Sequence, residues 1–192
     1  MMSTTPILLE IPEQFESERL LIRAPRFGDG AAVNQAVRES IEELRPWMPW
    51  AGAIPTAQES EAEIRGARLR FLDRSDLRLL LCGKADGELI GCSGLHRIDW
   101  ETRRFEIGYW VRTPFAGQGY ITESTRAITD FAVTRLLANR VEIRCDSRNS
   151  RSARVAERLG FTLEGVLRQE KTAVDGTLRD TMVFAKIRGV DF

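Results

Sequence analysis

The sequence predicts an α+β sandwich, in which a mixed, mostly antiparallel sheet carries helices on both of its faces. Three observations support this. Three strand-like runs follow one another between residues 77 and 111, a strand, a helix and a strand follow between residues 105 and 145, and two strand-like runs flank a turn at residues 174 to 177. Short turns join antiparallel strands, whereas a strand–helix–strand unit makes a right-handed crossover between roughly parallel ones. We therefore predict a single domain over residues 1–192.

The composition fits one globular domain without a long-range charge signal. The 192 residues are 43% hydrophobic, and 28 Lys and Arg residues balance 28 Asp and Glu residues. A formal net charge of zero creates no global field that would draw the chain to nucleic acid or to an anionic membrane. The first residues contain no basic segment followed by a long apolar one, and no apolar run is long enough to span a bilayer. We therefore expect a cytoplasmic protein with no direct nucleic-acid partner and no membrane partner.

The cysteines Cys82, Cys92 and Cys145 are typical of buried apolar positions. They are odd in number, none belongs to a CxxC pair, and each lies in a strand-like segment. This spacing supports neither a disulfide framework nor a structural zinc site. Free cysteine is among the residues most often buried. The sequence therefore predicts no metal site.

The first third of the chain is predicted to form one strand and two helices. The run "SERLLIRAP" is a short strand ended by Pro25, and "DGAAVNQAVRESIEELR" is a helix that stops before Pro46. An aromatic, proline-stiffened loop, "PWMPW", follows. Thr56 and Glu59 then form a capping-box pattern, which opens a second helix that extends to about Leu72.

The rest of the chain is predicted to combine strands with two further helices. The runs "LRLLLCGK", "ELIGCSGLHRI" and "RRFEIGYWV" form a meander whose first turn contains Asp86 and Gly87. A helix from about Gly119 to Leu137 comes next, followed by the strand "RVEIRC" and the helix "SRSARVAERL", which Gly160 closes. Two last strands flank the "VDGT" turn.

The stretch "VRTPFAGQGYITES", residues 111 to 124, joins a strand directly to a helix. Thr122 stands where a dinucleotide-binding fingerprint would place a third glycine after Gly117 and Gly119, and this stretch lacks the Lys-Ser/Thr pair of a P-loop. Glycines allow the backbone to approach an anion closely, and the free amides at a helix N-terminus hold phosphate. Taken alone, the stretch predicts either a pyrophosphate site or a tight strand-to-helix turn.

Several stretches occur in one order along nearly the whole chain: "SERLLIR", "LIGCSGLHRID", "FEIGYWV", "PFAGQGYITES", Asn149 with Ser152, "RLGFTLEGVLR" and "DGTLRDTMVFA". In these stretches the chain resembles the GNAT superfamily of acyl-CoA-dependent N-acetyltransferases, specifically the ribosomal-protein serine/alanine N-acetyltransferase (Rim-type) group. The resemblance implies a GNAT-type sheet in which "FEIGYWV" and "RVEIRC" splay apart. It also implies that acetyl-CoA is the cofactor and that its pantetheine arm lies in the gap.

The resemblance further implies which residues bind the cofactor. Strand backbone pairs with pantetheine, the glycine loop cradles the pyrophosphate, and residues at the start of the next helix contact pantetheine and the thioester. The implied set is Trp110, Val111, Arg112, Ala116, Gly117, Gln118, Gly119, Tyr120, Asn149 and Ser152. The chain departs from the family pattern at Pro114, where Gln or Arg is expected. Backbone amides and other arginines would therefore have to bind the phosphates. The densest basic cluster, some of which the resemblance places near the 3′-phosphate, is Arg144, Arg148, Arg151, Arg154 and Arg158.

Amide formation needs a base for the amine, a hydrogen-bond donor to the thioester oxygen and a proton for the leaving thiolate. Glu106, in the strand beside the splay, is the first candidate base, although a structural carboxylate explains it equally well. Glu170, on the other side of the cleft, is the second candidate. Ser152 matches the position of a hydroxyl that faces the sulfur, but a serine near a helix start is commonly a cap. A backbone N–H near Val111 is the candidate oxygen donor.

The resemblance implies direct attack by an acceptor amine in a ternary complex, and the favoured acceptor is the N-terminal α-amine of a protein such as a ribosomal protein. Trp47 and Trp50 match the loop that walls the acceptor site, and core or dimer packing explains them equally well. A covalent route would need Cys145 and the only histidine, His96, and is disfavoured. Other interpretations stay open: a small amine acceptor, a succinyl-CoA donor, a non-catalytic acyl-CoA sensor, and a homodimer rather than a monomer.

Overall fold

The computed structural model describes residues 5–192. Its strands are β1 (Gln14–Glu16), β2 (Leu20–Arg23), β3 (Leu77–Gly83), β4 (Leu89–Asp99), β5 (Arg104–Val111), β6 (Arg140–Asp146), β7 (Thr162–Thr172) and β8 (Leu178–Ile187). Its helices are α1 (Gly30–Leu44), α2 (Ala57–Asp73), α3 (Tyr120–Thr134) and α4 (Ser150–Arg158). All eight strands belong to one sheet with the spatial order β1-β2-β3-β4-β5-β6-β8-β7. Every neighbouring pair is antiparallel except β5 and β6, which confirms the predicted mixed sheet.

Helices cover both faces of the sheet because alternate residues of a strand point to opposite sides. Phe105 and Ile107 of β5 point to one face, where they join the core cluster that includes Ile128 of α3. On the other face Leu80 of β3 packs in a cluster with Ile64 of α2. The sheet is therefore the central layer of the predicted sandwich.

The capping box predicted at the start of α2 is present. The Thr56 hydroxyl accepts the Glu59 amide at 3.1 Å, and the Glu59 carboxylate accepts the Thr56 amide at 2.8 Å. The helix ends at Asp73, one residue beyond the predicted Leu72, and Arg74 follows with a left-handed φ of 68°. Local sequence therefore determines both ends of this helix.

Two elements differ from the sequence expectation. Strand β1, Gln14–Glu16, was not predicted, because its 3 residues are too few to show an alternating pattern. Helix α3 was expected to reach Leu137 but ends at Thr134. Leu137 adopts a φ of 54°, and the Ala138 amide bonds back to the Ala132 carbonyl at 2.9 Å, so the chain turns there.

The parallel pairing of β5 with β6 is short, and this opens the sheet. The ladder joins Arg104 to Arg140 at one end and Ile107 to Ile143 at the other. Beyond that point β5 continues to Val111 beside β4, while β6 continues to Asp146 beside β8. The two strands therefore separate from Gly108 onward, which confirms the predicted splay. We call the space between them the gap.

Within residues 5–192 no helix is long and apolar enough to cross a membrane. The same part of the chain holds no group of three or more His, Cys, Asp or Glu side chains that could bind a metal ion. Cys82, Cys92 and Cys145 are all buried and free of disulfides, as their sequence context predicted.

Candidate active site

The edge of β5 that faces the gap carries backbone amides without strand partners. The Arg112 amide donates to the Ile90 carbonyl of β4 at 2.9 Å, and Ser93 Oγ donates to the Gly108 carbonyl at 2.9 Å. Alternate residues of a strand direct their N–H and C=O groups to opposite neighbours. Tyr109 and Val111 therefore direct theirs into the gap, where the sequence placed the pantetheine arm and an oxygen donor.

The glycine loop between β5 and α3 is an open cradle of amides. The amides of residues 117 to 122 have no intramolecular acceptor within the described chain. Gly117 and Gly119 adopt φ values of 77° and 84°, and a Cβ at Gly117 would meet nothing within 4 Å. Gln118 Nε2 closes the loop on the Pro114 carbonyl at 2.8 Å. The loop therefore offers an unobstructed helix N-terminus to an anion.

Arg19 lies beside this loop, and no local sequence pattern predicts this position. Its guanidinium donates to the Gln118 carbonyl at 3.1 Å and to the Glu123 carboxylate at 2.6 Å. It also lies over the Tyr120 ring, 4.1 Å from the centroid. Because Arg19 is 99 residues from Gln118 in sequence, only the pairing of β2 into the sheet brings this cation to the loop.

The Arg112 side chain has a structural role. It is 8% exposed, and it donates to Glu39 of α1 at 2.6 Å, to Glu88 at 2.8 Å and to the Leu89 carbonyl at 2.7 Å. The guanidinium thus ties α1 to the sheet. The backbone amide of Arg112 is bonded to β4, and its carbonyl accepts the Phe115 amide at 3.0 Å. The assignment of Arg112 to the cofactor site stays a prediction.

Asn149, Ser152 and Tyr109 come together across the gap. Asn149 Oδ1 accepts the Ser152 amide at 3.0 Å and so caps α4. Ser152 Oγ lies 3.0 Å from the Tyr109 hydroxyl. Burial raises the pKa of the Tyr109 phenol, and its hydrogen bond with Ser152 offsets this only in part. The Tyr109 phenol therefore remains protonated at neutral pH.

The nearby cysteine is poorly suited to act as a nucleophile. Burial raises the pKa of the Cys145 thiol, so the nucleophilic thiolate form is disfavoured. This agrees with the expectation that a covalent route through Cys145 is not used.

The two carboxylates predicted as bases lie in ion pairs at the closed end of the gap. Glu106 Oε2 is 3.3 Å from Arg97, and Glu170 Oε1 is 3.0 Å from Arg144. Burial would raise the pKa of Glu170, but its hydrogen bond with Thr181 and the nearby cations lower it. Both assignments stay predictions, although each carboxylate is already engaged by a cation.

The predicted basic cluster is divided between two surroundings. Arg144 pairs with Glu170, and Arg148 pairs with Asp146 at 2.8 Å. The remaining arginines lie exposed on α4: Arg151, Arg154 and Arg158. Only this exposed group is without a carboxylate partner within the described residues.

A second opening lies on the opposite face of the sheet, between α1, α2 and the strands. We call it the acceptor cavity, and its volume is about 660 Å³. Its wall includes Met48 and Trp50 of the predicted acceptor loop, and the Trp50 ring lies 6.0 Å from that of Trp110. Trp47 is partly buried and lies outside the wall. The cavity reaches β5 at Gly108, Tyr109 and Trp110, where the gap begins.

The gap, which is predicted to hold the acyl donor, and the cavity that reaches it from the other face fit the layout of a group-transfer enzyme. The family model described as "Acetyltransferase (GNAT) domain" matches residues 19–162. The chain belongs to the GNAT acetyltransferase family.

Relatives and solved structures agree with this GNAT assignment. The Bacillus subtilis protein YdaF is 30% identical over 90% of this chain and 93% of its own length. The ribosomal-protein-serine acetyltransferase of Escherichia coli is 27% identical over 89% of this chain and 94% of its own. The structure of RimL, a ribosomal L7/L12 alpha-N-protein acetyltransferase, in complex with coenzyme A superposes with a TM-score of 0.83 at 26% identity, covering 92% of this chain and 97% of that one.

This GNAT protein is therefore an acetyl-CoA-dependent N-acetyltransferase. Its own residues fit the cofactor, because the amides of the glycine loop are unpaired and the space above Gly117 is clear. When bound, acetyl-CoA supplies the acetyl group as an activated thioester. The protein then has to orient that group, bring the amine to it and move the protons.

Proposed function

We propose that the protein acetylates the N-terminal α-amine of a protein, such as a ribosomal protein, by direct attack in a ternary complex. The observation that carries this proposal is the acceptor cavity of about 660 Å³, which meets the gap at Gly108 from the face opposite the glycine loop. Its volume is within the range of roughly 300–1,000 Å³ that is usual for ligand sites. The names of the E. coli relative and of RimL support a protein N-terminus as the acceptor.

An α-amine also suits the chemistry. Its reference pKa is about 8, so roughly a tenth is neutral at pH 7, whereas a lysine amine costs about 3 kcal/mol more to deprotonate. An enzyme that acetylates α-amines therefore needs a weaker base. The apolar wall formed by Met48, Trp50 and Trp110 offers contacts to the first side chain of such a peptide.

We assign the remaining roles by position. Backbone amides of Tyr109 and Val111 point into the gap and are the candidate donors to the thioester oxygen. The Tyr109–Ser152 hydroxyl pair is the candidate proton source for the departing thiolate. Asn149 holds Ser152 in place by capping α4, because its carbonyl oxygen accepts the Ser152 amide.

A thiol-release assay tests the proposal. Purified protein is screened with acetyl-CoA and succinyl-CoA against peptides that begin with Ser or Ala, against polyamines and against aminoglycosides. We expect turnover with acetyl-CoA and a Ser- or Ala-initiated peptide, and mass spectrometry should place the acetyl group on the α-nitrogen. The same peptide with its N-terminus already acetylated is the control and should release no thiol.

Two results would contradict the proposal in different ways. A clear preference for a polyamine or an aminoglycoside would replace the acceptor and keep the enzyme class. Binding of acetyl-CoA in calorimetry without turnover of any amine would support the non-catalytic sensor instead.

A further inference from the structure

His96 lies in the acceptor cavity as one half of a histidine–aspartate pair. It belongs to β4 and is part of the cavity wall. Its Nδ1 atom is 2.6 Å from Oδ2 of Asp76, which precedes β3. The imidazole keeps 29% of its surface exposed and the Asp76 side chain 21%. The pair is thus held by the sheet and open to the cavity.

Two facing glycines make room for the ring where the gap begins. Gly94 of β4 and Gly108 of β5 are direct cross-strand partners. A Cβ at Gly108 would lie 3.0 Å from Cδ2 and 3.3 Å from Nε2 of His96, and a Cβ at Gly94 would lie 3.1 Å from Cε1. Because Gly108 is the first residue of β5 beyond the ladder with β6, Nε2 lies next to the mouth of the gap.

The hydrogen bond with Asp76 determines which ring nitrogen is available. Burial would raise the pKa of Asp76, but the hydrogen bond with His96 and nearby positive charges lower it, so this side chain is a carboxylate. A carboxylate only accepts hydrogen bonds, and Nδ1 must therefore carry the proton of the neutral ring. Nε2 then has a free lone pair, and it has no hydrogen-bond partner within the described residues.

The other charged groups of the cavity are engaged elsewhere. On α2, Glu59 caps its own helix with Thr56, and Glu63 pairs with Arg70 at 2.7 Å and with Arg78 at 3.1 Å. The cross-strand neighbour of His96 is Glu106 on β5, which pairs with Arg97, and the remaining titratable wall residues are Cys92 and Tyr109. Each of these carboxylates is thus engaged by a helix cap or by a cation, and burial raises the pKa of the Cys92 thiol and of the Tyr109 phenol. The Nε2 lone pair of His96 belongs to a side chain with no cation partner within the described residues.

We infer that His96 is the general base of this enzyme and that Asp76 positions it. The inference rests on the proposed transfer of acetyl to an amine. One ammonium proton passes to Nε2, the neutral amine attacks the thioester carbonyl carbon, the C–N bond forms and the C–S bond breaks. The thiolate takes a proton from the Tyr109–Ser152 pair, and the second proton of the new amide nitrogen passes to that pair and restores it. His96 then releases its proton to solvent, so each turnover releases one proton.

The test compares His96→Gln with the rival variants Glu106→Gln and Glu170→Gln in the thiol-release assay, using whichever amine the wild type turns over best. We expect His96→Gln to lower kcat/KM about a hundredfold at pH 7, the scale of a lost general base. For an α-amine the deficit should shrink toward pH 9, where most of it is already neutral. The affinity for acetyl-CoA in calorimetry should stay within about twofold, which shows that the fold and the gap are intact.

Asp76→Asn allows a measurement, the tautomer of the His96 ring, that would not change if Asp76 only stabilised the fold. The amide would donate to Nδ1 and place the ring proton on Nε2, so the base would lose its free lone pair. Because His96 is the only histidine, the imidazole signals in a nitrogen-15 NMR spectrum of the tag-free protein belong to it alone. We expect the Nδ1–H form in the wild type and the Nε2–H form in Asp76→Asn, with the wild-type Nε2 signal shifting when the acceptor is added.

The outcomes separate this inference from the proposed function. Wild-type turnover that survives in His96→Gln, or that is lost in Glu106→Gln or Glu170→Gln instead, overturns the base assignment and leaves the function standing. An Nε2–H signal in the neutral wild-type ring also overturns it. A wild type that binds acetyl-CoA but acetylates no amine overturns both.

Discussion

Tyr109 shows how a catalytic candidate can be hidden in a strand pattern. In "FEIGYWV" it has the pattern of an ordinary aromatic strand residue, and the sequence predicts the hydroxyl that faces the thioester sulfur at Ser152 alone. The fold places the two hydroxyls 3.0 Å apart across the gap, although they are 43 residues apart in sequence. The proton source is therefore better described as a pair than as a single serine.

This pairing leads to a prediction about non-additivity. Tyr109→Phe and Ser152→Ala should each lower kcat about tenfold or more, because each removes one hydroxyl from the shared proton path. The double variant should lose little beyond the worse single variant, since groups that act as a unit are not additive. Steady-state kinetics with saturating acetyl-CoA measures this. Independent, multiplicative losses would show that the hydroxyls do not share one task.

At the scale of elements, the start of α3 explains why the loop before it needs glycine. Gly117→Val should weaken binding of CoA by more than a hundredfold, because the side chain would fill the space that the pyrophosphate is proposed to occupy. Valine at a φ of 77° is also strained, so the free-energy cost of strain has to be separated from the loss of binding.

Gly176 in the turn between β7 and β8 offers a matched control. It has a φ of 82°, and a Cβ there would also meet nothing within 4 Å. Gly176→Val should therefore cost similar stability in thermal unfolding while keeping full affinity for CoA in calorimetry. Equal affinity losses in the two variants would remove the loop from the cofactor site.

Arg19 connects β2 to the same loop and leads to a test by ionic strength. Arg19→Met should weaken CoA binding about three- to tenfold in low salt, because a cation beside the phosphates is lost. The difference should shrink in 0.5 M salt, where the screening length is only a few ångströms. Arg65→Met is the control, because Arg65 also pairs with a glutamate, Glu61 at 2.8 Å, but lies on α2. Equal effects of the two substitutions would contradict a local role for Arg19.

Whether a feature could be predicted from the sequence depends on how far apart in sequence its interacting residues lie. The meander, the capped helix α2 and the glycine loop were predicted because their signals lie within a few neighbouring residues. Strand β1 was missed because hydrogen bonds to β2, and no pattern of its own, define it. The contacts of Arg19 with Gln118 and of His96 with Asp76 join residues 99 and 20 positions apart, and a single sequence contains no signal for such pairs.

For the whole molecule, the sheet separates the two sites proposed for the substrates. The glycine loop and α4 border the gap, and the acceptor cavity lies on the α1 and α2 face. The two meet only where β5 leaves β6, at Gly108. In the proposed mechanism this single break in the sheet is where thioester and amine meet, and Tyr109 and His96 lie beside the same opening.

The stability of the whole molecule should fall in acid, and Asp146 at the end of β6 provides the sharpest test. Its side chain is 1% exposed and pairs with Arg148 at 2.8 Å and with Arg179 at 3.6 Å. Burial would raise the pKa of Asp146, but hydrogen bonds from the Arg148 side chain and backbone lower it. A carboxyl whose pKa is lower in the folded state stabilises the fold above its unfolded pKa, near 3.9, and that contribution is lost as the pH falls through the folded pKa.

We therefore expect Asp146→Asn to lower the free energy of unfolding by about 2 kcal/mol at pH 7, since Arg179, whose side chain is only 14% exposed, would lose its charged partner. The difference from the wild type should begin to narrow as the pH drops below about 3.9, where the carboxyl of the unfolded wild-type chain takes up a proton, and it should be lost below the lower folded pKa. Urea unfolding at pH 7, 5, 4 and 3 measures both. Asp130→Asn on α3 is the control, because this exposed carboxylate makes no ion pair within residues 5–192 and should leave the pH dependence unchanged. If the difference in free energy of unfolding between the wild type and Asp146→Asn stays constant from pH 7 to pH 3, the Asp146 charge does not stabilise the fold.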